Sequence, residues 1–251
     1  MTGEVLREGE SRVLTCQVMG GHPHPWVTWY RHGRPINLTS MMRDTLAVSL
    51  TSPRVTSRRL EEEEVRVKQL VRATREEDGA VYECRVNSHL SEQSLTTNVT
   101  LTVHYAPSTV TVKGPRVMTD DQHLTLTCFT NPAKPPAAIT WLIQGTEIGT
   151  GLSTVREDEG GGWVTSSKLT HHLPESHNIT QVTAECRAHH SATRKVINKR
   201  WSLKVIKRPG KPVVKIEGGD GSEVVAGSRV RLLCSSLGGR PQPSVTWVLS
   251  Q

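Results

Sequence analysis

The sequence predicts an all-β protein built as tandem β-sandwiches, two complete and a third cut short. Two observations carry this. A cysteine and a tryptophan recur at one fixed spacing three times, at Cys16/Trp29, Cys128/Trp141 and Cys234/Trp247. Around each pair the apolar residues alternate with period two, the signature of half-buried strands rather than helices. The three cysteines mark an internal repeat whose unit is about the size of one small domain.

In the first unit, residues 1–106, Leu14 and Cys16 point one way on one strand, and Val27 and Trp29 do so on the next. Gly33 supplies the turn that follows. The segment RRLEEEEVRVKQLVRA reads as part of an extra hairpin, with Glu61–Glu64 a solvated turn among arginines and lysines. Cys84 follows downstream, inside EEDGAVYECRV. The unit closes on NVTLTVHY, where Val99, Leu101 and Val103 alternate inward and Asn98 outward. Little sequence precedes Cys16, so an opening strand is expected to be missing.

The second unit, residues 107–208, begins with STVTV after Ala106-Pro107. Leu124, Leu126 and Cys128 share one face, as do Ile139 and Trp141, and Gly145 repeats the turn. Gly160-Gly161-Gly162 reads as a hairpin or loop. Cys186 follows inside QVTAECRA, and WSLKVI is the closing strand. The third unit, residues 209–251, runs through VVKIEG and Val230, Leu232 and Cys234 to Trp247, then stops after its third strand. Cys234 is thereby left without a partner. So short a segment does not bury a sandwich core alone, and the sequence reads as partial. Short proline-bearing junctions limit hinge freedom between units, giving a semi-rigid array.

These motifs resemble the immunoglobulin superfamily, in which a tryptophan rests on a disulfide joining two sheets. The resemblance covers nearly the whole chain. It implies bridges Cys16–Cys84 and Cys128–Cys186, core tryptophans Trp29, Trp141 and Trp247, and a tyrosine corner at Tyr82, just before Cys84. Ala184 takes the corner position in the second unit. EDGAVYECRVNSHL, KPPAAITWLIQG and VVAGSRVRLLCSSLGGRPQPSVTW are similar to successive domains of nephrin-type adhesion receptors and their invertebrate relatives in synapse and muscle-partner recognition.

That resemblance implies a type I receptor on the outer face of the plasma membrane. Its partners would be other immunoglobulin-superfamily proteins, bound homophilically or heterophilically through the sheet of the third, sixth and seventh strands. A glycan at Asn98 would hinder that face in the first unit. The alternative is a secreted matrix protein of the same arrays; a cytosolic muscle-type array is disfavoured by the cysteines. Sequons at Asn37, Asn98 and Asn178 also favour the outside of the cell.

No apolar run is long enough for a membrane helix, so any membrane attachment must come from a segment not in this sequence. No phosphate-binding, zinc-protease or nucleophile-elbow motif occurs, so no enzyme and no cofactor is expected. Adjacent histidines, His171-His172 and His189-His190, point to opposite faces of a strand and chelate poorly, so no metal is expected. The net charge of +7 comes without aromatic interleaving, which argues against nucleic acid. One cluster, Arg194, Lys195, Lys199 and Arg200, is a candidate docking point for a heparan-type polyanion.

Overall fold

A computed structural model describes residues 2–20, 23, 25–36, 49–51, 64–89, 91–120, 122–172, 179–217 and 225–248. The chain is all-β; among the described residues the only helical element is a 3-10 turn, Arg75–Glu77.

The first sandwich faces two sheets across one core. One sheet has five strands in the order β1-β8-β7-β3-β4: β1 (Thr2–Arg7), β8 (Ser91–His104), β7 (Val81–Ser88), β3 (Trp26–Arg31) and β4 (Arg34–Pro35). Contrary to the expected loss of an opening strand, β1 precedes Cys16 and runs parallel to β8, and the other pairs of this sheet are antiparallel. Among the described residues the second sheet has three strands, in the order β2 (Ser11–Met19), β6 (Glu64–Arg72), β5 (Ser49–Thr51). Alternation decides what goes inside: Leu14 and Cys16 of β2, Trp29 of β3, Tyr82 and Cys84 of β7, and Leu101 and Val103 of β8 are all buried. The acidic run Glu61–Glu63 lies outside the described residues.

The second sandwich repeats the plan. Its larger sheet runs β10 (Val117–Thr119), β17 (Lys195–Pro209), β16 (Gln181–His190), β12 (Ala138–Ile143), β13 (Thr146–Gly149). The facing sheet runs β14 (Leu152–Glu157), β15 (Trp163–His172), β11 (His123–Thr130), β9 (Val110–Lys113). Leu124, Leu126, Cys128, Trp141, Val182, Ala184 and Cys186 have no exposed surface. The two sandwiches differ at one edge. Here β9 covers the outer edge of β11, whereas among the described residues no strand pairs with the outer edge of β2.

The junction between the sandwiches is tightly stitched. Tyr105 and Lys134 exchange backbone hydrogen bonds of 2.8 and 2.9 Å, and Ala106 is buried. The Lys134 ammonium donates to the Asp78 carboxylate at 2.7 Å, so a loop of the second unit is tied to the corner of the first. The Tyr105 ring lies so close to Gly162 that a Cβ there would meet its hydroxyl at 2.5 Å; with φ at +79°, the third glycine of the run is required twice over.

Among the described residues the third unit is a two-stranded ladder, β18 (Val213–Ile216) with β19 (Leu232–Ser235), while β20 (Gly238–Arg240) pairs with the end of β17. Here the expected core position fails. Trp247 is 57% exposed, because two strands provide no opposing sheet to receive it. Cys234 is a free thiol, partly exposed.

Candidate functional site

Each sandwich is pinned at its centre by the same device. Cys16 is bonded to Cys84, and Cys128 to Cys186, with Cα separations of 6.2 and 6.5 Å. Strand register places a tryptophan beside each bridge: Trp29 opposite Cys84, and Trp141 opposite Cys186. The indole N–H of Trp141 donates to the Ser167 hydroxyl at 2.8 Å, and that of Trp29 to the Val67 carbonyl at 3.4 Å.

Tyr82 anchors the end of β7 differently from the family pattern, in which the phenol bonds to upstream backbone. Its hydroxyl donates to the Glu77 carboxylate at 2.8 Å, and Arg31 holds Glu77 from the other side at 2.5 Å. Burial, then the Glu77 hydrogen bond, pushes the phenol well above its ordinary range. Replacing Tyr82 by phenylalanine is expected to cost about 1.5–3 kcal/mol, the range for a bond to a charged acceptor. Urea denaturation of Y82F against wild type measures it, and an unchanged midpoint would sink the assignment.

Because these side chains point inward, their strand neighbours point out onto the outer faces of the larger sheets. On the first sandwich, cross-strand rows are set by register. Trp26 pairs with Asn87, Thr28 with Arg85 and Thr96, and Tyr30 with Glu83 and Asn98. The Arg85 guanidinium lies 4.0 Å over the Tyr30 ring and is also ion-paired to Glu83. Trp26 is 45% exposed and meets His89 at 4.8 Å between ring centres. Asn98 is exposed on this same face, level with Tyr30. The Trp26 end stands two pleats along β3 from Tyr30, roughly 13 Å away at strand rise. Asn37 and Asn178 lie outside the described residues.

The outer face of the second sandwich is organised by one carboxylate. Glu185 accepts from Arg187 at 2.6 Å, Arg200 at 2.9 Å and Asn198 at 3.1 Å. Hydrogen bonds from Arg187 and then Arg200 hold its carboxyl down to about 2. A carboxyl whose pKa is depressed on folding stabilises above its unfolded value, about 4.3, and that contribution is lost as pH falls toward 2. Unfolding free energies measured between pH 6 and 3 are therefore expected to fall less steeply in E185Q than in wild type. Equal slopes would show that Glu185 is not linked to folding.

The same network divides the basic cluster. Lys195 and Lys199 are in step with Leu203 and Val205 on the core-facing side of β17, at its exposed edge, whereas Arg200 lies on the outer face, engaged by Glu185. Arg194 sits in the hairpin turn with φ at 57°. The four charges thus do not form one surface.

Two paired sheets per unit, a central disulfide and a tryptophan beside it define immunoglobulin-type domains in tandem. Residues 96–197 match the family model for a CD80-like C2-set immunoglobulin domain, and residues 1–88 match that for an immunoglobulin domain. The chain belongs to the immunoglobulin superfamily. It is 29% identical to mouse nephrin over 245 residues, covering 97% of this chain and 18% of nephrin. It is 24% identical over 257 residues to rat MAM domain-containing glycosylphosphatidylinositol anchor protein 2, covering 98% of this chain and 24% of that protein. The full ectodomain of mouse nectin-like molecule 4 shares the fold at a TM-score of 0.58 and 18% identity, covering 97% of this chain and 78% of that one. The chain therefore spans less than a quarter of the length of these curated relatives.

Proposed function

We propose that this chain is part of the extracellular portion of a non-enzymatic adhesion or recognition receptor. It is displayed on the outer face of the plasma membrane and binds other immunoglobulin-superfamily proteins. The observation that carries the reading is the outer face of the first five-stranded sheet, where Trp26, Tyr30 and Arg85 stand together over a rigid, disulfide-pinned scaffold. These three residue types dominate binding energy in protein interfaces, because each offers a large contact area on few rotatable bonds or a planar charged fork. The outer face of the second sandwich, by contrast, has its charges satisfied internally through Glu185. Kinship with nephrin supports the adhesive role.

The test is cell aggregation. Cells displaying the chain on a membrane anchor are mixed with cells displaying the same chain or members of a panel of immunoglobulin-superfamily ectodomains. The reading expects at least one combination to cluster, and W26A with R85A to abolish clustering while surface display is unchanged. Clustering with no member of the panel, or clustering untouched by both substitutions, overturns it.

A further inference from the structure

We propose that His123 and His172 form a two-point chelate for a divalent transition-metal ion on the outer face of the four-stranded sheet of the second sandwich. The two histidines are distant in sequence but are direct cross-strand partners, one opening β11 and the other closing β15. Their orientation follows from the core. Leu124, Leu126 and Cys128 are wholly buried, so the odd-numbered positions of β11 face outward, and His123 is exposed. His172 is its register partner and is exposed on that same face.

Histidines adjacent along a strand diverge; histidines opposite one another across two strands converge. Direct cross-strand partners hold their Cβ atoms about 4.5–5.5 Å apart. The two imidazole centroids here lie 4.9 Å apart, edge to face at 78°. A metal bound to two imidazole nitrogens at about 2.0–2.1 Å requires those nitrogens to come within roughly 3–4 Å of each other. Rings already at this separation reach that by rotating about their side-chain bonds. His171 cannot take part, because its register partner is the buried Leu124, on the opposite face.

Among the described residues no group of three His, Cys, Asp or Glu side chains converges on one point, so the proposed site is built from these two imidazoles. Imidazole ligands suit copper, nickel and zinc, and affinity rises toward Cu²⁺ along the first-row series. The occupied site would tie the start of β11 to the end of β15, at a corner where neither β9 nor β14 extends the pairing. Binding to the folded state alone then stabilises the sandwich by mass action.

The experiment is calorimetric titration of the full chain with Cu²⁺ and, separately, Zn²⁺. Electron paramagnetic resonance of the copper form reads out the number of imidazole nitrogens. Loss of a direct ligand should weaken binding by roughly tenfold or more, the least that loss of an outer-shell partner typically costs. The site predicts two nitrogens on copper, that weakening in both H123A and H172A, and wild-type affinity in H171A. Both variants change exposed positions, and circular dichroism verifies that they fold. Wild-type affinity in H123A or H172A, loss of binding in H171A alone, or absence of binding to the wild-type chain each overturns the proposal.

Discussion

Trp141→Ala is expected to remove a large share of the stability of the second sandwich. The indole is fully buried beside the Cys128–Cys186 bridge, within a core that includes Leu126, Ile139 and Leu203. Truncating a buried tryptophan to alanine typically costs about 3–5 kcal/mol, partly from lost burial and partly from the cavity left behind. The substitution also leaves the Ser167 hydroxyl, itself bonded to the Thr150 carbonyl, without the indole donor. Against the roughly 5–15 kcal/mol of a native domain, such a loss brings the fold close to its threshold. Chemical denaturation followed by near-ultraviolet circular dichroism measures it. Trp141→Phe keeps an aromatic ring in the core while losing the N–H donor and part of the indole's volume, so it should cost less than the alanine variant. A cost under about 1 kcal/mol for the alanine variant would show that the indole is not the centre of that core.

The reason this fold was legible is that its information is local. A strand with one buried face writes its orientation into every second residue, as in Leu124-x-Leu126-x-Cys128, and the repeat of that spacing fixed the number of units. Recognition chemistry is written across strands, where sequence distance carries no signal. That His123 faces His172 and that Arg85 lies on Tyr30 both depend on register. Adjacency in sequence even misleads: Lys199 and Arg200 look like one patch, yet period two places them on opposite faces of β17. Trp247 makes the complementary point. Its local pattern matches Trp29 and Trp141, but burial is a property of the opposing sheet, and two strands do not supply one.

Removing the first disulfide, as Cys16→Ala with Cys84→Ala, is expected to cost about 4 kcal/mol on the chain-entropy account, given a sequence separation of 68. The equivalent pair in the second unit has a separation of 58, so chain entropy predicts nearly the same cost there. The sheets themselves break the tie. In the second unit β11 is paired on both edges, by β15 and by β9. In the first, among the described residues, β2 is paired only with β6, so the bridge from Cys16 to Cys84 is a larger share of what holds the small sheet against the large one. Graded reduction with a thiol reagent should therefore unfold the first sandwich before the second, as followed by hydrogen exchange of β2 and β6 against β11 and β15. The reverse order would show that edge pairing does not set the ranking. Cys84 sits on β7, directly paired with the strand carrying Trp26 and Tyr30. Reduction should consequently abolish any adhesion that depends on Trp26 at the same thiol concentration that unfolds the first sandwich. Such a coupling confines the proposed activity to the oxidising side of the membrane, where disulfides persist.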